Sequence, residues 1–516
     1  MEHKKGIVYL IGAGPGDPNL ITLRGKECIQ AAEVVIYDYL ANPIFLSWAK
    51  PEAELLYVGK KGGTQHILQE EINELILGKA LEGKRVARLK GGDPFIFGRG
   101  GEEAEILADH GIPFEIVPGV TSAISVPAYA GIPLTHRQFT STVAFITGHE
   151  DPTKEESNID WEKISTGAGT LVFLMSMSHL STIVERLQQH GLSATTPVAV
   201  IQWGTSPKQR TLVADLQSVV KRVEEEGLGP PSIIVVGQVV RLRDRLKWFE
   251  KRPLFGKTIV VTRSRAQASS FSQNLAELGA QVIEFPTIRL AGLKDYKLLD
   301  EAIAALSSYQ WIIFTSVNGV EFFFKRLNEL KKDSRALGQA KVCAIGPETA
   351  AGLRQHGIIP DYVPPEYRAE AIVDGLIKLG VRAVRILIPR ALEARDILPE
   401  KLTEEGAFVS VIPVYETLPD SADTAYLLDL LQKNAINMVT FTSSSTVKNF
   451  WSALKEKVDL LPSELLKGVD IACIGPICAQ EAKSLGLEVS LVPKEYTIAA
   501  LTEAIVSFYQ SASTKT

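Results

Sequence analysis

The sequence predicts an α/β protein of several domains, on three observations. Short β-branched runs alternate with helical patterns through the first half of the chain. Glycine-rich loops follow two of the runs. The second half repeats itself at a fixed spacing. Alternation of this kind argues for a mostly parallel sheet with covering helices. At 516 residues, and ~100–200 residues per domain, three or four domains are expected.

In chain order, Ile7-Val-Tyr-Leu-Ile11 reads as a strand, Leu23 to Ala32 as a helix and Val34-Val-Ile-Tyr37 as a strand. Gln65 to Leu81 is helical, with apolar residues at Ile67, Leu68, Ile72, Leu75 and Ile76. Val86 to Leu89 is a strand, Gly91 to Gly101 a glycine-rich loop, and Glu102 to His110 a helix. Glycine permits φ > 0 and removes the Cβ that would hold a ligand away. After Thr135-His136-Arg137 the pattern restarts at Val143-Ala-Phe-Ile146. Strands follow at Thr170–Leu174, Pro197–Gln202 and Ser232–Val236, a second, smaller α/β domain. The charged run Arg241 to Pro253 ends in proline and marks a boundary, after which Lys257-Thr-Ile-Val-Val-Thr-Arg263 opens a new strand.

From there the chain is duplicated. Val261-Thr-Arg263 aligns with Ile388-Pro-Arg390, Leu278-Gly279 with Glu405-Gly406, Phe285-Pro286 with Ile412-Pro413, and Phe314-Thr-Ser316 with Phe441-Thr-Ser443. All four pairs share one offset, the separation of Arg263 from Arg390. Ala344-Ile-Gly-Pro347 matches Cys473-Ile-Gly-Pro476 at a slightly longer offset. These spacings predict two similar α/β halves of about 125 residues rather than a repeat array. Phe-Thr-Ser ends a strand and Ile-Gly-Pro opens a helix, the places where open α/β sheets bind ligands. Two facing halves imply a cleft.

Composition narrows the classes. Hydrophobic residues are 45%, charged residues 22% and the net charge is −5, so no global basic field argues for nucleic acid. The four cysteines (Cys28, Cys343, Cys473, Cys478) form no CxxC pair, which argues for buried reduced thiols over disulfides or zinc. No signal peptide and no apolar run of about 18 residues is seen, so a cytoplasmic protein without membrane contact is the expectation.

Gly12-Ala-Gly-Pro-Gly-Asp17 has GxGxG spacing, and Pro15 and Pro18 would break the helix of a dinucleotide site. A tight turn or another ligand loop is left. Asp38 and Lys60 stand at expected strand ends, where a carboxylate and an ammonium are either solvated charges or a general base and acid. Lys84, Arg85, Arg88, Lys90 and Arg99 give a local positive excess suited to an anionic substrate. Asp93 is placed to accept hydrogen bonds from a ligand. Val117-Pro-Gly-Val-Thr-Ser-Ala123 is a second loop-to-helix junction with free N–H groups. His136 and Arg137 add an imidazole and a guanidinium. Thr315, Ser316, Thr442, Ser443, Ser444 and Ser445 are strand-end hydroxyls. No nucleophile-elbow, P-loop, HExxH or kinase signature is present in the second half.

With these residues in view, the chain as far as Phe249 closely resembles uroporphyrinogen-III C-methyltransferases of the tetrapyrrole methylase family. The motifs are Gly12-Ala-Gly-Pro-Gly-Asp-Pro18, Tyr37-Asp38, Val58-Gly-Lys60, Arg88 to Glu102, Val117-Pro-Gly119, Ala130-Gly-Ile-Pro-Leu-Thr-His-Arg137, Thr147-Gly-His149, and Gly204-Thr205 with Gln209-Arg210, in family order. The resemblance implies S-adenosylmethionine as cosubstrate and no metal. It implies Pro15, Gly91, Gly92, Asp93, Ile96, Thr121, Ser122, Met175 and Gly204 at the cosubstrate site, and Asp38 and Lys60 as acid–base residues. The substrate would be a polycarboxylate tetrapyrrole, met by Arg88, Lys90, Arg99, His136 and Arg137, and two methylations would give precorrin-2 for sirohaem or cobalamin. Members of this type are usually homodimers. The chain departs from the family pattern at Ser122, Ser176 and Gln202-Trp203.

The remaining residues resemble uroporphyrinogen-III synthase, through the duplicated Phe-Thr-Ser and Ile-Gly-Pro motifs and Val414-Tyr-Glu-Thr417. That implies two interwoven lobes, 254–287 with 416–516, and 288–415, with Pro286 and Pro413 at the crossings. The domains would be 1–252 (about 1–137 and 138–252) and 253–516. Hydroxymethylbilane would be cyclised to uroporphyrinogen III with inversion of ring D. Arg263, Thr315, Ser316, Arg390, Thr442, Ser443 and Ser444 would hold its carboxylates and Tyr415 would hydrogen-bond the leaving hydroxyl. The alternative is a methylase of another corrin intermediate fused to a non-catalytic, bilobed ligand-binding module.

Overall fold

The computed structural model describes residues 5–59, 68–148, 159–263, 265–365, 369–393, 396–419, 424–457 and 461–513. Lys60, His149 and the expected helical start at Gln65–Ile67 lie outside the described residues. The chain forms two compact units, one of the residues up to Thr258 with Asn274–Gln281 and the segment from Val506, the other of Ile259–Gln273 and Val282–Ile505.

In the first unit, β1 (Ile7–Gly12), β2 (Val34–Tyr37), β3 (Glu54–Tyr57), β4 (Arg85–Lys90) and β5 (Phe114–Val117) make one sheet in the order β3-β2-β4-β1-β5. Its ladders are all parallel. Both faces are covered. Val34 and Ile36 of β2 belong to one apolar cluster and Val35 to the other, the pattern of a strand buried on both sides. A second sheet holds β6 (Val143–Thr147), β7 (Thr170–Leu174), β8 (Pro197–Gln202), β9 (Arg210–Asp215) and β10 (Ser232–Val236), ordered β6-β7-β10-β8-β9. This sheet corrects the expectation of a mostly parallel arrangement. Only its β6–β7 ladder is parallel; β10 runs antiparallel to β7 and β8, and β9 antiparallel to β8. The hairpin partner β9 carries exposed and half-buried residues around Leu212, too weak an apolar signal to read from sequence.

Helix Ser122–Tyr129 joins the two sheets. It leaves the first sheet after β5, yet Ala123 and Val126 pack with Val172, Ala199, Ile201 and Val235 on the second. Its N-terminal residues are thereby fixed between the two.

The second unit has β11 (Thr258–Val261), β12 (Gln281–Glu284), β13 (Ile288–Ala291), β14 (Trp311–Phe314), β15 (Lys341–Ala344), β16 (Arg385–Ala391), β17 (Phe408–Pro419), β18 (Met438–Phe441) and β19 (Asp470–Cys473). One sheet is β12-β11-β18-β19 and the other β13-β17-β16-β14-β15. β14 and β18 begin at Trp311 and Met438, separated by the main offset of the sequence repeat. β15 and β19 begin at Lys341 and Asp470, separated by its longer offset. The two sheets therefore share one strand order, and each takes its first pair from one repeat and its last pair from the other. This is the interwoven arrangement. β13 is the addition, an antiparallel edge on β17.

β17 changes partner along its length, from β16 as far as Tyr415 to β13 from Glu416. Pro413 lies inside β17, opposite Arg390, and the strand runs on to Pro419, pairing Glu416 with Ala291. Proline cannot donate to a ladder. The register slips beside it, so that Ala391 pairs with Tyr415 and Val414 is the extra residue, as in a β-bulge. All four cysteines are buried and free. No helix among the described residues is long and apolar enough to cross a membrane.

Candidate functional site

The loops after β1, β4 and β5 leave adjacent strand ends and meet backbone to backbone. Gly14 and Gly92 form a bridge, with the Gly92 N–H donating to the Gly14 carbonyl at 2.7 Å. A Cβ on Gly12 would lie 2.4 Å from the Gly119 Cα, and one on Gly119 would lie 2.3 Å from the Gly92 carbonyl oxygen. Gly14 (φ +74°) and Gly92 (φ +71°) also occupy the left-handed region, where a side chain is strained.

Asp93 locks this junction. One carboxylate oxygen accepts the Gly119 N–H at 2.9 Å and the other the Phe95 N–H at 2.8 Å. Expected as a ligand acceptor, it is a clamp between two loops. A Cβ on Gly92 would sit 3.7 Å from Thr121 and Ser122, and Thr121 caps helix Ser122–Tyr129 through the Ala123 N–H. The loop from the second sheet joins here. Thr205 Oγ1 accepts the Asp17 N–H at 3.2 Å, and Gly204 is held to hydrogen by Val126, 2.3 Å from its would-be Cβ. Pro15, Gly92, Thr121, Ser122 and Gly204 are thus brought together.

Met175 follows β7, which runs in the same direction as β8 because both are antiparallel to β10. Met175 and Gln202–Thr205 therefore leave the second sheet on one edge. Met175 is 51% exposed, and Ile96, Phe97 and Trp203 are exposed as well. Five of the eight positive-φ non-glycine residues among the described ones are Phe97, Arg99, Met175, Trp203 and Thr205. Strain of this kind clusters at ligand sites. Backbone amides and carbonyls beside exposed apolar side chains suit a small ligand with both polar and apolar parts.

The cations divide. Arg88 and Lys90 are not the surface charges that the sequence suggests. Both are 4% exposed and both face buried Glu103, Lys90 Nζ at 2.6 Å and Arg88 Nε at 3.4 Å. Burial pushes the Lys90 ammonium below its ordinary range, Arg88 adds to this, and Glu103 opposes both. Gln69 Nε2 donates to the same carboxylate oxygen, while Glu103 Oε2 has no partner among the described residues. Arg88 Nη1 reaches the Leu89 carbonyl at 2.8 Å and Asp38 at 3.5 Å. It acts on Asp38, which is half-buried, and not on solvent. Alternation along β4 turns Arg88 and Lys90 to one face, and Glu103 comes from the helix covering it. The only sequence sign is the acidic pair Glu102-Glu103. Arg99 is exposed and paired with Glu102. Arg137 is exposed, and the His136 ring lies 5.1 Å from Phe139.

In the second unit Ser316 and Ser443 cap helices Val317–Glu329 and Ser444–Lys455, accepting the Gly319 N–H at 3.0 Å and the Thr446 N–H at 3.3 Å. Gly346 and Gly475 cap the helices that begin at Pro347 and Pro476. Four helix N-termini thus follow strands β14, β15, β18 and β19, with partial positive charge for anions. Thr315, Thr442 and Ser444 are partly exposed there. Tyr415 is buried, stacked on Phe322 at 5.3 Å, with its hydroxyl 3.5 Å from Ser316 Oγ. Arg390 is bound to Asp396. Burial lowers the Arg263 guanidinium's pKa and Glu348 raises it.

Both parts of the chain match known families. Residues 7–220 match the family Tetrapyrrole (Corrin/Porphyrin) Methylases and residues 269–503 match Uroporphyrinogen-III synthase HemD. A porphyrin biosynthesis protein HemD from Ruminiclostridium josui is 38% identical over 96% of this chain and 96% of its own. A uroporphyrinogen-III C-methyltransferase from Bacillus subtilis (strain 168) is 35% identical over 92% and 93%. A solved uroporphyrin-III C-methyl transferase from Thermus thermophilus, complexed with S-adenyl homocysteine, is 39% identical, covers 46% of this chain and 100% of its own, and has a TM-score of 0.39.

Two stability results follow. Gly119→Ala should cost ~1–3 kcal/mol in urea unfolding, whereas Gly101→Ala, whose Cβ meets nothing within 4 Å, should cost nothing. Equal effects would contradict the glycine junction. Glu103→Ala strands two buried cations and should cost ~3–5 kcal/mol in the same measurement; an unchanged midpoint would show that the cluster contributes nothing.

Proposed function

This chain belongs to the family in which a uroporphyrinogen-III C-methyltransferase is fused to a uroporphyrinogen-III synthase, and from that membership we propose that it performs two consecutive steps of tetrapyrrole biosynthesis. Residues 253–516 cyclise hydroxymethylbilane to uroporphyrinogen III with inversion of ring D. Residues 1–252 methylate that product twice to precorrin-2. The observation that carries the reading is the junction of the Gly12–Asp17, Gly91–Gly101, Gly119–Ser122 and Gly204–Thr205 loops, with exposed Ile96 and Met175 beside it. Its backbone groups and apolar surface fit S-adenosylmethionine.

S-adenosylmethionine supplies an electrophilic methyl group when bound. The chain's part is to bind, align and move protons. Pro15, Gly91, Gly92, Thr121, Ser122 and Gly204 form the walls, and Asp93 keeps two of them in register. Exposed Arg99 and Arg137, with His136, meet the substrate's carboxylates. Asp38, held by Arg88, takes the proton released when a pyrrole carbon is alkylated, with Lys60 as its acid counterpart.

For ring closure the substrate is already activated, and folding it into the reactive conformation is the main task. Helix N-termini and the hydroxyls of Thr315, Ser316, Thr442, Ser443 and Ser444, with Arg263 and Arg390, hold its carboxylates. Tyr415, fixed by Phe322 and Ser316, hydrogen-bonds the departing hydroxyl.

Supplied with hydroxymethylbilane alone, the protein should yield the type III isomer. Only type I product would overturn the synthase reading in favour of a non-catalytic module. Tyr415→Phe should slow this step ~10²-fold and leave methylation of added uroporphyrinogen III unchanged. With labelled S-adenosylmethionine and uroporphyrinogen III, two labels should enter each tetrapyrrole, and none would overturn the methyltransferase reading.

A further inference from the structure

The charged stretch Arg241–Pro253 reads from sequence as a boundary and has no part in either reaction as described. In the structure it is bound into the first unit. Trp248 Nε1 donates to the Ala128 carbonyl at 3.0 Å. Arg243 Nη1 donates to the Ala130 carbonyl at 2.6 Å, and Arg243 Nη2 to Glu250 at 2.6 Å.

We propose that Gln209, Glu250 and Arg243 are positioning residues for methyl-donor binding: they hold the Trp203–Thr205 turn in its strained conformation against the Gly12–Asp17 loop. Trp203 (φ +51°) and Thr205 (φ +66°) both lie in the left-handed region. Conformations of that kind persist only where the surroundings over-determine them. Here the Thr205 N–H donates to Gln209 Oε1 at 3.0 Å, and its hydroxyl accepts from the Asp17 N–H. Gln209 Nε2 donates to Glu250 Oε1 at 2.8 Å, where the Thr211 hydroxyl also donates at 2.8 Å. The other Glu250 oxygen takes Arg243. Arg243 is bound to the end of helix Ser122–Tyr129, and Tyr129 closes the circuit by donating to Asp17 at 2.8 Å.

Each member has a fixed role. The Thr205 N–H can only donate and a carboxylate can only accept, so Gln209 has one amide orientation. Burial works against the Glu250 charge, but the bonds from Arg243, Gln209 and Thr211 overcome it and hold the carboxyl below its usual range. Thr205, Gln209 and Arg243 are all buried. A largely buried network in which each side chain has a partner restricts the geometry, and it holds two of the four loops at the proposed donor site. The inference rests on that reading of the site.

The test is Gln209→Met in the full chain, which keeps volume and removes both amide bonds. The KM for S-adenosylmethionine should rise about 10-fold, a loss of ~1.4 kcal/mol. The KM for uroporphyrinogen III, kcat at saturating donor, and ring closure should stay within about twofold. Thr211→Val, which removes only one donor to Glu250, should fold in any case and raise the donor KM by a smaller factor. An unchanged donor KM in Thr211→Val and Gln209→Met overturns the proposal, as does a parallel loss in both KM values and kcat. If calorimetry finds no S-adenosylmethionine binding to the unsubstituted chain, the site reading itself is wrong.

Discussion

Gly12, Gly92 and Gly119 approach so closely that a Cβ on Gly12 or Gly119 would overlap its neighbours' backbone. That contact sets the ends of β1, β4 and β5 at one level, and Asp93 ties two of the resulting loops together. It also fixes where helix Ser122–Tyr129 starts. Since that helix lies on the second sheet, the same contact determines how the Gly204–Thr205 loop meets Asp17. The methyltransferase half is therefore built outward from a place where no side chain fits.

The second half obeys a different constraint. A duplicated unit whose strand pairs are exchanged between repeats cannot form one lobe without the other. Phe314 and Phe441 end equivalent strands in different sheets, and the serines that follow cap equivalent helices. Substrate groups held by both lobes would face two similar sets of donors, which suits a ligand with many carboxylates.

Much of this is legible in the sequence because glycine, proline and strand-end serine report backbone requirements directly. The repeat, the loop-to-helix junctions and the strand ends at Ser316 and Ser443 all belong to that class, although the capping role of the two serines shows only in the structure. Residues whose role depends on a distant partner are not legible. Arg88 and Lys90 read as surface cations because Glu103 gives no sign that it folds over them. Glu250 and Arg243 read as linker charges. Asp93 stands out beside its glycines, but its partner is the backbone N–H of Gly119, in another loop. The antiparallel second sheet is hidden because β9 is only weakly apolar. That Pro413 lies inside a strand is hidden too, because the bulge beside it leaves no mark in the sequence.

The fusion makes the product of one half the substrate of the other, within one chain. Purified protein given only hydroxymethylbilane and S-adenosylmethionine should convert the linear tetrapyrrole to a dimethylated type III product, releasing two S-adenosylhomocysteine per macrocycle, as read by mass spectrometry under anaerobic conditions. Accumulation of type I uroporphyrinogen, or of unmethylated type III, would contradict it.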